Sequence, residues 1–251
     1  MAGPNPIEQF EIHEIFPIVK IAGYQISLTD AALYMLLAVV LTAALMLGTT
    51  AGRRLVPTRM QSLAEVLYEF IADMIRGAAG EHGLKFFPLV FSLFMFILFS
   101  NVVGIIPYTF TVTSQIVITA ALALLVFFTV IIYGLWHNGL HWFKLFMPSG
   151  IPIWMAPVII IIELLSFLAR PISHSVRLFA NMLAGHITLK LVASFIVMMA
   201  SVGVVGWFGA IAPFALTVAL TALELLVAVL QAYVFAILTC IYLNDAIHPG
   251  H

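Results

Sequence analysis

Apolar residues fall into long runs separated by short polar stretches. The runs cover about 30–50, 86–107, 114–136, 153–200 and 211–243, and each is long enough to cross a bilayer, which takes about 20 residues of helix. A first span at 30–50 stops at Gly52-Arg53-Arg54 and Pro57. Residues 58–82 are different. Leu63, Val66, Leu67, Phe70, Ile71, Met74 and Ile75 keep helical spacing while Glu65, Glu69 and Asp73 line the other face, the pattern of an amphipathic helix on the membrane surface. Its acidic face points to a protein contact rather than to anionic lipid. Ser62 and Glu65 have capping-box spacing. Residues 86–136 read as a helical hairpin, because the connection Pro107 to Thr113 is short. Trp136 to Trp142 reads as an interfacial belt. The last two runs exceed what a perpendicular span needs, so 153–243 reads as a long hairpin of helices that tilt or kink, with Pro171 a candidate kink and Gly203, Gly206, Gly209 and Pro213 marking the turn. Residues 1–28, with Pro4, Pro6 and Pro17, read as a polar tail. The predicted fold is an all-α polytopic membrane protein in one membrane domain, 1–251: about five crossing helices plus one amphipathic surface helix.

Composition agrees. The chain is 63% hydrophobic and 8% charged, with a mean hydropathy of +1.16, more apolar surface than a soluble domain can hide. A net charge of −1 argues against nucleic acid. The single cysteine, Cys240, excludes an internal disulfide and a cysteine metal cluster. The polar, mildly acidic start is unlike a cleavable signal. Basic residues set the orientation. Arg53, Arg54, Arg59, Arg76 and Lys85 lie between the first two spans and Lys144 lies after the third. Both loops then face the cytoplasm, the N-terminus faces out, the connection at 201–211 faces out and the C-terminus lies inside.

The fourth run carries the most informative pattern. Glu163, Ser166, Arg170, Ser173, Arg177, Asn181 and Thr188 recur at steps of three, four and seven, one polar stripe down a greasy helix. A centred arginine costs roughly 2.5–3.5 kcal/mol on insertion scales, and intramembrane charges on one face mark an ion path or a paired contact. Folding the last two runs as an antiparallel pair centred on residues 204–205 sets His186 opposite Glu224 and Arg177 opposite Gln231. His and Glu can each gain or lose a proton; Arg does not, and Gln only orients. Arg177 and His186 are nine residues apart, about 14 Å of helix rise, and point to opposite sides of the helix. One face bears a fixed charge and the other a titratable pair, as a stepwise proton path around a permanent barrier requires. The alternative for each is structural: an ion pair of Arg177 with Glu163 or Glu224, and a His186–Glu224 hydrogen bond without transport. For Asn101 it is helix packing, and for Arg170 an interfacial snorkel. His137 and His141 have i, i+4 ligand spacing but no evident third ligand, so no metal or cofactor is expected.

The run Arg170-Pro171-Ile172-Ser173-His174-Ser175-Val176-Arg177-Leu178-Phe179-Ala180-Asn181-Met182-Leu183-Ala184-Gly185-His186 resembles the signature helix of subunit a of the F-type ATP synthase. Glu224 to Gln231 resembles that family's last helix, and Asn101 to Pro107 its Asn-x-x-x-x-x-Pro segment. The order His186 then Glu224 looks like the mitochondrial arrangement, which with the polar tail implies the alphaproteobacterial branch. The resemblance implies a stator subunit in the inner membrane, with a ring of c subunits, b-type peripheral-stalk subunits, lipid and protons as partners. It implies that Arg177 faces the ring and that two offset half-channels use Asn101, His186, Glu224 and Gln231 on the way in and Ser173, Arg170 and Glu163 on the way out, with Asn181 also among the proton-translocation residues. The chain has no Gly-x-x-x-x-Gly-Lys-Ser/Thr loop, so ATP chemistry must occur elsewhere and this chain is not itself an enzyme. A proton-coupled secondary transporter is the alternative, though no internal repeat of that kind is seen.

Overall fold

In a bilayer the backbone must satisfy its own hydrogen bonds, and a helix does so within one segment. The apolar runs accordingly form helices in the computed structural model, which describes residues 14–21, 24–50, 58–106, 109–147, 155–201 and 203–247. The elements are β1 (Glu14–Ile21), β2 (Tyr24–Thr29), α1 (Asp30–Thr50), α2 (Arg59–Ala79), α3 (Phe87–Ile105), α4 (Ile116–Asn138), α5 (Ala156–Ala200) and α6 (Val204–Ile247), with short 3-10 segments at Glu81–Phe86, Val112–Ser114 and Gly139–Phe146. Five of the helical segments are long and apolar enough to cross a membrane. The fold is an all-α polytopic membrane protein with one small hairpin added.

That hairpin lies in the stretch read as a tail. β1 and β2 pair antiparallel, from Glu14↔Thr29 to Ile21↔Tyr24. The strand signal is in the residues themselves: Ile15, Phe16, Ile18, Val19 and Ile21 against Ile26 and Leu28, apolar and β-branched types that suit a pleated surface. Pro17 has no N–H for the ladder, and the register shifts next to it. Residues 1–13, with Pro4 and Pro6, lie outside the described residues.

The helix ends differ from expectation in two places. First, α2 begins at Arg59 with Thr58 as its cap: the Thr58 side chain accepts from the Gln61 amide at 3.3 Å. Ser62, read as a capping residue, is already in the first turn and its amide bonds Thr58 O at 2.8 Å. An extended Thr directly after Pro57 offers the cap one turn earlier. Gly80 ends the helix at φ 68°. Second, the reversal before α6 is shorter than the glycine cluster. Gly203 takes φ 94°, and Gly206, Gly209 and Pro213 lie inside α6. A proline removes one ladder bond and crowds the carbonyl four residues back. Here that residue is Gly209, and Thr217 donates to Pro213 O at 2.8 Å. The helix α5 runs unbroken through Pro171, the candidate kink.

The chain divides into two compact units. The first holds Met1–Thr42, Phe96–Gln115 and Leu178–Gln231; the second holds Ala43–Met95, Ile116–Arg177 and Ala232–His251. In the second, Phe127, Trp142, Phe146 and Phe167 form an aromatic cluster with centroids 5.0–5.7 Å apart. Only one end of the expected interfacial belt faces outward: Trp136 is 88% exposed, whereas Trp142 is buried beneath Gly134. Asn138 Nδ2 donates to Ala246 O at 2.7 Å and pins the end of α4 to that of α6.

Candidate functional site: a buried imidazole–carboxyl pair

The first unit gathers most of the proton-handling candidates. His186 on α5 and Glu224 on α6 are both buried, and His186 Nδ1 lies 3.3 Å from Glu224 Oε1. The contact falls outside well-aligned hydrogen-bond geometry: neither Glu224 oxygen has a hydrogen-bond partner among the described residues. Gly185 makes the approach possible, since a Cβ there would lie 2.9 Å from Glu224 Oε1.

Thr111, which sequence reasoning missed, completes the pair. Its Oγ1 is 2.9 Å from His186 Nε2 and donates to Gly104 O at 3.3 Å. The carbonyls at a helix end need outside donors, and Gly104 sits in the last turn of α3. A hydroxyl has one proton. With that proton on Gly104 O, Thr111 receives Nε2–H, and the lone pair of Nδ1 faces Glu224. A proton taken up by the pair then sits on Oε1 or on Nδ1. Gly104 is constrained in the same way as Gly185, because a Cβ there would come within 2.8 Å of Thr111 Cγ2.

Two further amide contacts belong to this unit. Asn101 is fully buried; its Nδ2 donates to Ala228 O at 3.2 Å and its Oδ1 accepts from Thr113 at 2.7 Å. Asn181 Nδ2 donates to Gln231 Oε1 at 2.7 Å. This corrects the expected register: the partner of Gln231 is Asn181, one helical turn along α5 from Arg177. The reversal at Gly203 sets the phase of the two helices, and a neutral amide makes a complementary hydrogen bond with Gln231 without bringing in an unpaired charge. Numbering symmetry found the 186/224 pair but missed this one by a turn. Thr111 and Thr113 carried no sequence signal beyond lying in a short connection after Asn101.

The second unit holds the fixed charges. Arg170 is half-buried, and its Nη1 is 2.6 Å from Asp245 Oδ2, with its guanidinium 5.4 Å from the Phe167 ring centroid and 5.1 Å from that of Tyr242. It is an ion-paired arginine lying beside two aromatic rings. Asp245, near the end of the chain, was not singled out in the sequence. Glu163 is half-buried, Ser173 and Arg177 are exposed, and Ser175 shares a 3.1 Å hydrogen bond with Thr119. His137 stacks on Tyr133 at 5.5 Å, and no three His, Cys, Asp or Glu side chains converge among the described residues.

A buried imidazole against a carboxyl, fed by hydroxyls and amides, can pass a proton. A family model described as ATP synthase A chain matches residues 32–244. The chain belongs to that family. Proteins named ATP synthase subunit a from Nitrobacter winogradskyi, Rhodopseudomonas palustris (strain BisB18) and Afipia carboxidovorans are 66%, 64% and 63% identical to it. In each case the alignment covers 98% of this chain and 99% of the relative. As a member of the ATP synthase A chain family, the chain is a non-catalytic, proton-translocating membrane subunit of an ATP synthase, and the transporter alternative falls away.

Proposed function

We propose that the chain is the stator half of a rotary proton path, with separate roles for its two sets of residues. Protons enter from outside past Asn101, His186, Glu224 and Gln231, with Asn181 holding the Gln231 amide in orientation. They neutralise a carboxylate on a ring of c subunits, which carries them around. They leave on the cytoplasmic side past Ser173, Arg170 and Glu163. Arg177, which cannot lose its proton, blocks a direct leak and attracts the deprotonated ring carboxylate. Each charge moved across the membrane is driven by about 2.3 kcal/mol per 100 mV.

The observation that carries this reading is the 3.3 Å approach of two buried titratable groups, His186 and Glu224, in a family that moves protons. Direction comes from the basic loops. With Arg59, Arg76 and Lys85 cytoplasmic, the reversal at Gly203 faces out, and His186 and Glu224 are nearer to it along the chain than Arg177 is. The same orientation leaves the N-terminus outside and the C-terminus in the cytoplasm, in a bacterial inner membrane. The acidic face of α2, with Glu65, Glu69 and Asp73 all exposed, suits a partner such as a b-type stalk subunit.

The test is Arg177→Ala in the intact complex, read as ATP-driven proton pumping in inverted vesicles. Pumping is expected to vanish while the complex still assembles. Wild-type pumping with alanine at 177 would overturn the assignment.

A further inference from the structure

The stretch of α5 around Arg177 has two different sides. Ile172, Ser173, Val176 and Arg177 are exposed, while His174 and Ser175 are buried. Ser175 stands two residues before Arg177, so their side chains leave the helix about 200° apart, nearly back to back. Behind Ser175 lies α4. Its buried positions Thr119, Ala123, Val126, Val130 and Gly134 recur at steps of three and four and form one stripe. Ala123, Val126 and Val130 share a small apolar cavity with Pro171 and His174, so the stripe faces α5. Thr119 carries the only hydroxyl on it and is fully buried. Its Oγ1 lies 3.1 Å from Ser175 Oγ. Thr119 also donates to Ile116 O at 3.1 Å. A hydroxyl has one proton, and with that proton on Ile116 O the donor in the cross-helix bond is Ser175.

We infer that the Thr119–Ser175 hydrogen bond fixes the rotational phase of α5 and so keeps Arg177 aimed at the proton-carrying ring, which makes Thr119 and Ser175 positioning residues for the barrier. The inference rests on the barrier role proposed above for Arg177. The rest of the α4 stripe is alanine, valine and glycine, and apolar contact is non-directional. A hydrogen bond has direction, and at a buried site it is stronger than in water. Phase matters because the arginine reaches far from the helix axis. A helix with its side chains is about 10–12 Å across, so turning it by about 30° carries a side-chain tip by about 3 Å. That is enough to take a guanidinium out of hydrogen-bonding reach of a carboxylate. A carboxylate in front of α5 pulls on the arginine, and the bond at the back of the helix resists that pull.

The test is the number of protons pumped per ATP hydrolysed by the intact synthase in inverted vesicles, with the amount of complex in the membrane measured separately. Ser175→Ala and Thr119→Val each remove one hydroxyl, whereas Thr119→Ser keeps it. A hydrogen bond between membrane helices shifts an equilibrium by about threefold. Each of the first two variants is therefore expected to lower the ratio about threefold, through back-leak past a misaimed arginine, at an unchanged amount of complex. The double variant Ser175→Ala/Thr119→Val is expected to match the single ones, because both remove the same contact, and Thr119→Ser to keep the wild-type ratio. A wild-type ratio in Ser175→Ala or in Thr119→Val overturns the inference. So do losses that multiply in the double variant, and so does a loss in Thr119→Ser as large as that in Thr119→Val, which assigns the effect to packing. If Ser175→Ala does not assemble, Thr119→Val, on the other helix, decides. Arg177→Ala is measured alongside. A wild-type ratio there sinks the barrier reading itself, whereas a loss there with a wild-type ratio in Ser175→Ala removes only the role of the hydrogen bond.

Discussion

The two units handle polar groups in opposite ways. In the first, the buried polar side chains include Asn101, Thr111, Thr113, His186, Glu224 and Gln231. These are hydroxyls, amides and one imidazole–carboxyl pair, joined by contacts of 2.7–3.3 Å. In the second, α5 carries two arginines that do not titrate: Arg170 paired with Asp245, and Arg177 exposed. A site that exchanges protons needs groups that are stable both with and without the proton, and hydrogen-bonding neighbours supply that tolerance. A barrier needs the reverse, a charge that no change of pH removes. One chain carries both because α5 contributes residues to each unit.

The sharpest break in that comparison is His186→Ala. General acid–base groups contribute about 10²–10⁴-fold, so pumping is expected to fall by at least about 10²-fold while the complex remains in the membrane. Side-selective thiol labelling adds a direction. A cysteine at 186 should react from outside, and cysteines at 170 and 173 from the cytoplasm. Labelling of position 186 from the cytoplasm alone would reverse the roles of the two units.

Gly185→Ala comes next. In an ordinary helix this change is favourable by about 1 kcal/mol. Here the new Cβ would sit 2.9 Å from Glu224 Oε1 and push the carboxyl away from Nδ1. Misplacing a reacting group by about 1 Å can cost up to about 10²-fold; a loss of about tenfold is expected, from a helix that is itself no less stable. Unchanged pumping would mean that the 3.3 Å approach is not used.

Much of this was legible in the chain. Long apolar runs have few stable forms in lipid, so the all-α class followed from composition and period. The 186/224 pair followed because antiparallel helices joined by a tight turn match residues about a fixed centre. What was missed depended on atoms that the linear pattern does not encode. Thr111 acts through one hydroxyl at the start of a 3-10 turn, and Asp245 drew no notice because nothing in the linear pattern ties it to Arg170. The Asn181–Gln231 bond turns on a helical phase that a one-residue change in the reversal would shift by about 100°. The β1–β2 hairpin was hidden by three prolines that made residues 1–28 read as a tail, although Ile15 to Ile21 carries an ordinary strand composition.

A smaller effect probes the tautomer. Thr111→Val keeps the shape and removes the hydroxyl, so Nε2–H and Gly104 O both lose a partner. A hydrogen bond of this kind contributes about 1 kcal/mol, or roughly fivefold. Pumping should fall by about that factor, and Thr111→Ser, which retains the hydroxyl, should restore it. Equal losses in Val and Ser variants would show that Thr111 matters for packing and not for the proton it places.

The smallest change is expected where the second unit is only structural. Asp245→Asn removes one member of the pair with Arg170, whose side chains are 20% and 27% exposed. Partly exposed ion pairs contribute about 1 kcal/mol or less, and Arg170 retains its contacts with Phe167 and Tyr242. The solubilised complex should therefore melt slightly earlier, with ATP-driven pumping close to that of the wild type. Arg170→Asp should be worse, since it leaves two acids where one was paired. The exchange Arg170→Asp/Asp245→Arg should recover part of the melting temperature, because the pair is restored in reverse. Full recovery of stability without recovery of pumping would separate the two duties of Arg170, holding α6 and lining the exit. A collapse of pumping in Asp245→Asn as steep as that in His186→Ala would contradict the division between the units, since an acid read as a brace would then be acting as part of the proton path.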